Sequence, residues 1–169
     1  MSDPVESAKI LWLGESLGFW IQTGAFLLSA GAAAAIIYHN GKLSRLRATI
    51  DLIMHQKSDA ELLKCVAQVY KLTDSNQSFS ALKPGSDEFK CVLRVLNNHE
   101  FVACGIRSGA FSETVYKQTQ CSNLLKVYRN SKPMIDDLRR QQKIDTLFQD
   151  FEWLAERWKC KPLRKIKRK

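Results

Sequence analysis

The densest group of side chains that could take part in acid–base or metal chemistry is the run Asn97-Asn98-His99-Glu100. A zinc protease of the H-E-x-x-H type needs a second histidine three residues after the glutamate, so that both ligands share one helix face. That position is Ala103, which excludes the motif. Two interpretations remain. One is a structural polar cluster in a helical core, and the other is a functional polar groove formed by Asn98, His99 and Arg107.

Other sequence motifs of catalysis are also missing. Lys83-Pro84-Gly85-Ser86 lacks the spacing of a phosphate-binding loop, and no G-x-S-x-G motif occurs. The five cysteines contain no C-x-x-C pair, which predicts reduced thiols on buried helix faces of a cytoplasmic domain. The sequence therefore predicts a protein that is not an enzyme and that has no metal and no other cofactor. The enzyme alternative is a membrane-tethered hydrolase with a site near His99.

The C-terminal tail, residues 159–169, is the strongest charge feature of the chain. It has no acidic residue and seven cations: Lys159, Lys161, Arg164, Lys165, Lys167, Arg168 and Lys169. Such a polybasic segment binds anionic lipid headgroups or, without sequence preference, the phosphates of nucleic acid. A solvated tail with no partner is the third interpretation. Anionic lipid is the first choice because the chain has a candidate membrane anchor.

That anchor is an uncharged stretch near the N-terminus. No charged residue occurs from Ser16 to Gly41, and the apolar centre at residues 17–38 is long enough to cross a hydrocarbon core of roughly 30 Å as a helix. A signal peptide would begin with positive charge, and a buried core helix would normally have a charged face. The sequence predicts a transmembrane helix at 17–38, preceded by a short interfacial helix within residues 1–16.

The residues that flank this stretch predict its orientation. Lys42, Arg45 and Arg47 follow it closely, whereas Lys9 is the only charged basic side chain before it. Positive residues are retained on the cytoplasmic side, which places the N-terminus outside and the following domain inside. Within the apolar stretch, small residues recur four apart at Ala25, Ser29 and Ala33. They predict a contact face for a homo-oligomer in lipid, unless they are merely tolerated there.

Residues 42–158 show apolar residues at helical spacing and no strand-like alternation. They predict a cytoplasmic bundle of about five helices, so the expected fold class is all-α. Helix starts are indicated at Ser58-Asp59-Ala60-Glu61, Ser86-Asp87-Glu88 and Ser112-Glu113, with a loop at 73–86 and a break at Gly109. Lys132-Pro133 predicts the start of the last helix, because proline is well tolerated in a first turn.

Several segments of this domain resemble one protein family. The segments are residues 47–53, 95–107, 132–140 and 151–154, and the resemblance covers roughly residues 45–155. The family is the bacterial and phage-borne domain of unknown function number 4760, whose members often have an N-terminal membrane helix. The resemblance implies this architecture and identifies no catalytic residue.

These observations together predict a membrane-anchored interaction module at the cytoplasmic face of a bacterial inner membrane. Its expected partners are anionic lipids and an unidentified protein. The resemblance suggests a phage- or prophage-related role, such as superinfection exclusion, defence, or regulation of a membrane partner. The alternative outside this class is a helical nucleic-acid-binding protein that uses the basic tail.

Overall fold

Helix α1 spans Leu17–Ser58 in the computed structural model, which describes residues 11–12, 15–75 and 78–163. It is 42 residues long and includes both the uncharged stretch and the first amphipathic segment after it. Gly41 does not interrupt it, because a single glycine costs only about 1 kcal/mol within a helix and the good helix formers Lys42 and Leu43 follow it. Among the described helices, α1 is the one long and apolar enough to cross a membrane.

The described residues before α1 form two short strands. Leu11–Trp12 (β1) pairs antiparallel with Glu15–Ser16 (β2). The described part of the predicted interfacial helix is therefore extended instead of helical. Gly14 lies between the two strands in the sequence, and glycine weakens the tendency to form a helix. The rest of that predicted helix, residues 1–10 and 13–14, lies outside the described residues.

The chain divides into two compact units, residues 1–43 and 44–169. The second unit contains the C-terminal part of α1 and four further helices: α2 (Ala60–Asp74), α3 (Asp87–Arg107), α4 (Glu113–Gln142) and α5 (Gln149–Cys160). A short 3-10 turn, Phe79–Ala81, lies between α2 and α3. Helix α3 packs against α2 and α5, and α4 packs against α5 and the 3-10 turn. The predicted all-α fold class is confirmed.

The core of the second unit lies between these helices. Its largest fully buried side chains are Trp158, Tyr116, Phe79, Phe151, Leu96, Leu124, Ile135 and Leu154. Full burial of such a side chain contributes roughly 1.5–3 kcal/mol, so they supply most of the force that holds the helices together. Phe79 is fully buried and anchors the connection between α2 and α3 to this core.

The helix caps follow the sequence signals closely. The Ser86 hydroxyl accepts a hydrogen bond from the Phe89 amide at 3.2 Å, as predicted for the start of α3. Helix α2 begins one residue later than predicted, because Ser58 is the last residue of α1 and Asp59 is the cap. The Asp59 carboxylate accepts from the Leu62 amide at 2.9 Å and also pairs with Arg94 of α3 at 3.3 Å.

The predicted helix start at Pro133 is wrong. Helix α4 continues through this proline, and the next helix begins only at Gln149. An interior proline costs about 3 kcal/mol because it removes a hydrogen bond and crowds the preceding turn. The residues that follow it offset that cost, since Met134, Ile135 and Leu138 are buried in the same core as the earlier part of α4. The chain instead turns between Lys143 and Phe148, both of which adopt left-handed backbone conformations.

Candidate functional site

A groove opens in the second unit where the end of α1 meets α2, α3 and α4. It encloses about 110 Å³. Five aliphatic side chains line it: Ile53, Leu62, Leu63, Val66 and Val95. The other lining residues are polar: Gln56, Lys57, Tyr70, Asn98, His99, Tyr116, Gln120 and Asn123. An apolar surface with several converging polar groups is typical of a binding site.

Helix α1 is held beside the groove by a buried threonine. The Thr49 hydroxyl donates to the Arg45 carbonyl at 2.7 Å and accepts from the Ser112 amide at 2.7 Å. Ser112 is the residue immediately before α4, so this bond fastens the beginning of α4 to α1. Two turns further along α1, the Gln56 carboxamide donates to the Asn98 carbonyl oxygen at 3.0 Å. The groove is therefore built by the same contacts that join α1 to the helical domain.

His99 forms part of the buried wall of the groove. Its ring stacks on Phe151, with centroids 5.1 Å apart and planes 11° from parallel. Its Nδ1 atom has no hydrogen-bond partner among the described residues. Burial lowers the pKa of His99 to about 4, so the ring is uncharged at neutral pH. A neutral histidine without a carboxylate partner is a poor proton-transfer group, and the arrangement is better suited to binding than to acid–base catalysis.

The predicted polar groove of Asn98, His99 and Arg107 is only partly assembled. Asn98 and His99 line the groove, whereas Arg107 is not among its lining residues. Arg107 lies beside Asp150 instead, with Nε and Oδ1 2.9 Å apart. That oxygen accepts no hydrogen bond from the described residues, so the contact is an ion pair by distance alone. Arg107 thus joins α3 to the start of α5.

Glu100, which follows His99, has a structural role. Its carboxylate accepts hydrogen bonds from the amides of Phe151 at 2.7 Å and Asp150 at 3.3 Å. These amides belong to the first turn of α5, where no preceding helical carbonyl is available as an acceptor. Burial raises the pKa of Glu100, and the two amide bonds oppose that change. The three neighbouring residues therefore have different roles: Asn98 bonds to α1, His99 stacks on Phe151, and Glu100 binds the first turn of α5.

Sequence reasoning missed most of the polar groove residues. Tyr116, Gln120 and Asn123 lie three or four residues apart and therefore share one face of α4. Gln56 follows the buried Ile53 by three residues on α1. The signal that could have found them is a polar residue on the apolar face of an amphipathic helix. Carboxamides in such positions require hydrogen-bond partners.

The described residues contain no cluster of three or more histidine, cysteine or acidic side chains that could hold a metal ion. All five cysteines are free. Cys65 and Cys121 are buried as predicted, but Cys104 and Cys160 are exposed. Burial, together with the neighbouring Cys65 thiol, raises the pKa of Cys91 to about 11, which keeps that thiol protonated.

Only the beginning of the predicted basic tail is described. The Lys159 ammonium pairs with Glu156 at 2.7 Å and lies 4.9 Å from the centre of the Tyr128 ring. The Lys161 carbonyl accepts a hydrogen bond from the Lys117 ammonium. The other predicted cations, Arg164, Lys165, Lys167, Arg168 and Lys169, lie outside the described residues.

The predicted contact face Ala25, Ser29 and Ala33 is exposed along α1. The Ser29 hydroxyl donates to the Ala25 carbonyl of the same helix at 2.9 Å. Its polar group is thus satisfied within α1.

A family model, Domain of unknown function (DUF4760), matches residues 23–158. No curated protein and no solved structure matches the chain. The matched range includes most of α1 and all of α2 to α4, together with α5 as far as Trp158. The chain therefore belongs to the DUF4760 family.

Proposed function

We propose that this protein is a single-pass membrane protein whose helical domain is a binding module on the cytoplasmic side of a bacterial inner membrane. The observation that carries the proposal is the apolar part of α1, of which none is buried against protein. Its most exposed large side chains include Phe26, Leu28 and Ile37, at 73%, 77% and 72%. Soluble proteins rarely expose a continuous apolar patch of this kind, and a bilayer covers it.

Neither a soluble core helix nor a cleaved signal peptide fits α1 as well as a membrane span does. A core helix of a soluble protein would be mostly buried, which the apolar part of α1 is not. A signal peptide begins with positive charge, whereas Asp3 and Glu6 make the residues before the apolar stretch acidic. The family match also begins at residue 23, within the apolar stretch.

The proposed orientation rests on charge. Lys42, Arg45 and Arg47 are exposed just after the apolar stretch. None of the three forms an ion pair with another described residue, so their charges are available to anionic headgroups. Cations in this position favour a cytoplasmic location for the residues that follow.

The proposal of a binding module rests on the groove. Its polar lining has carboxamides, two tyrosines, one neutral histidine and the exposed Lys57, but no carboxylate, serine, threonine or cysteine among the described residues. This set can recognise a ligand through hydrogen bonds, and it lacks the nucleophile–base pair that a hydrolase needs. Binding is therefore the better-supported function of the site.

A more specific proposal is that this binding module has a phage-related role. It rests on the resemblance of the sequence to a bacterial and phage-borne family. Affinity capture from detergent extracts of cells, before and after phage infection, tests it. A membrane protein captured only after infection supports the role. An identical set of captured proteins in both samples contradicts it.

Placing arginine at both Leu27 and Leu28 should release the protein from the membrane. Each arginine at the centre of a span costs about 2.5–3.5 kcal/mol on insertion scales. The measurement is the fraction of protein that stays in the membrane pellet after alkaline carbonate extraction. Leu46→Arg is the matched control, because Leu46 lies on α1 beyond the uncharged stretch. A wild-type protein that is fully extracted by carbonate would exclude the anchor.

The basic tail should add affinity for anionic membranes. A fragment of residues 42–169 should sediment with vesicles that contain phosphatidylglycerol and should be released by salt, because each cation near such a surface contributes about 1 kcal/mol. A variant with glutamine at Lys159, Lys161, Arg164, Lys165, Lys167, Arg168 and Lys169 should stay in the supernatant. If the fragment ignores vesicles but shifts RNA or DNA at moderate salt, nucleic acid becomes the partner of the tail.

A further inference from the structure

The beginning of α4 connects α1 to the end of α5. The Ser112 amide, one residue before α4, donates a hydrogen bond to the Thr49 hydroxyl of α1 at 2.7 Å. The next residue, Glu113, accepts from the Trp158 indole of α5 at 3.1 Å and pairs with Arg157 at 2.9 Å. The C-terminal end of α5 therefore lies beside the start of α4, which is itself bonded to the part of α1 that follows the apolar stretch.

The basic tail, residues 159–169, leaves the helical domain at this same place. Helix α5 ends at Cys160, and the Lys161 carbonyl accepts a hydrogen bond from the Lys117 ammonium. Lys117 lies one helical turn after Glu113 on α4. The turn between α4 and α5 lies at the other end of α4, which has 30 residues and is therefore about 45 Å long. The tail thus begins near α1 and far from that turn.

The surface around the start of α4 has an excess of positive charge. We call it the docking end, and it consists of residues 44–49, 112–117 and 157–161. Its cations are Arg45, Arg47, Lys117, Arg157, Lys159 and Lys161, and its one carboxylate is Glu113, which is already paired. Arg45, Arg47 and Lys161 are exposed and form no ion pair with a described residue. Asp51 is the nearest unpaired carboxylate in the described sequence, so the excess suits an anionic partner.

We propose that the docking end binds the anionic headgroups of the membrane that anchors α1, with the turn between α4 and α5 farthest from the bilayer. The inference rests on the proposed anchor and on the cytoplasmic location of the domain. Lipid is favoured over nucleic acid because Arg45 and Arg47 follow the apolar stretch closely, so the anchored chain keeps these cations near headgroups. The contacts of α4 hold Lys161 and the tail at the same surface, where cations bind an anionic leaflet.

The test is fluorescence quenching with the full-length protein in lipid nanodiscs. A maleimide dye is attached to Cys160, with Cys104→Ser removing the other exposed thiol of the described residues, and the quencher is a nitroxide on the lipid headgroups. We expect discs with phosphatidylglycerol to quench the dye at least twofold more than discs of phosphatidylcholine alone, and salt to reverse the difference. A dye placed at Lys143→Cys, with serine at Cys104 and Cys160, should not respond, because Lys143 follows the far end of α4.

Charge variants identify the cations responsible. The first variant combines Arg45→Gln, Arg47→Gln and Lys161→Gln. It should lose at least half of the quenching that depends on phosphatidylglycerol, since the remaining tail cations still bind lipid. The matched control combines Lys64→Gln, Lys71→Gln and Arg129→Gln. These three cations are exposed on α2 and α4, form no ion pair with a described residue and lie outside the docking end, so the control should respond as the wild type does.

Each other outcome overturns the proposal in a recognisable way. Equal quenching of the Cys160 dye in both kinds of disc overturns the docking, as does an equal loss in the two triple variants. If the protein in phosphatidylcholine discs binds RNA while the Cys160 dye ignores phosphatidylglycerol, the cations serve nucleic acid instead. A protein that does not elute with either kind of disc overturns the proposed anchor, and the docking with it.

Discussion

Replacing Trp158 with alanine is expected to lower the free energy of unfolding of the helical domain by about 3–5 kcal/mol. Trp158 is fully buried, and its ring packs near Tyr116 with centroids 6.4 Å apart. Its indole nitrogen donates to the Glu113 carboxylate at 3.1 Å, which links α5 to the first turn of α4. Because small domains are stable by only about 5–15 kcal/mol, this single change should bring the domain close to unfolding.

Two variants make this prediction specific. Trp153→Ala is the matched control, because Trp153 is only half-buried and its ring lies 5.7 Å from the Arg157 guanidinium carbon. Trp158→Phe keeps most of the packing and removes the bond to Glu113, so its cost should be smaller than that of Trp158→Ala. Urea unfolding followed by circular dichroism, with the full-length protein in mild detergent, measures all three. Equal losses for Trp153→Ala and Trp158→Ala would mean that α5 is not packed as described.

Acidification from pH 7 to pH 4 should cost the protein up to about 3 kcal/mol of stability through His99 alone. Burial lowers the pKa of His99 to about 4 in the folded protein, whereas the pKa of histidine in an unfolded chain is near its ordinary value of 6.5. Between these values the unfolded chain binds a proton at this residue and the folded chain does not. The contribution of His99 to the stability of the folded protein is therefore fully present above about pH 6.5 and is lost as the pH falls toward 4.

Histidine variants distinguish the effect of His99 on stability from that of the carboxylates, which also titrate as the pH falls. His99→Leu removes the titrating group and the unpartnered nitrogen, so its stability should change less between pH 6.5 and pH 4.5 than that of the wild type. His55→Gln is the control, because His55 is exposed on α1. The measurement is the free energy of unfolding in urea at several pH values. Parallel curves for wild type and His99→Leu would show that His99 is accessible to protons in the folded state.

The sequence predicts the helical elements well where the local signals and the tertiary packing agree. Ser86 and Ser112 begin α3 and α4 as expected, and Gly109 has the positive φ of 78° that suits a glycine. Their agreement has a physical reason, because caps and left-handed turns depend on a few neighbouring residues.

Pro133 shows where local signals fail. The proline favours a helix start, but burial of the residues on both sides of it decides the outcome. That burial depends on how α4 packs with α5 and the 3-10 turn, which no local pattern reports. Tertiary packing overrides a cost of about 3 kcal/mol in this case.

The candidate site could be predicted only in part for the same reason. Asn98 and His99 stand out in the sequence because they are polar neighbours on an apolar helix. Gln56 of α1 and Asn123 of α4 join them in the groove only because the fold brings together residues that are more than twenty positions from Asn98 in the chain. The role of Glu100 at the start of α5 also depends on a contact that spans 51 residues.

The most direct test of the membrane account is cysteine labelling of intact cells with a membrane-impermeant maleimide. The exposed thiols Cys104 and Cys160 report the side on which the helical domain lies. Ser2→Cys, in a background with serine at both of those positions, reports the side of the N-terminus. We predict that Cys104 and Cys160 react only after lysis and that the cysteine at position 2 reacts in intact cells. Labelling of Cys104 and Cys160 in intact cells would contradict a cytoplasmic helical domain.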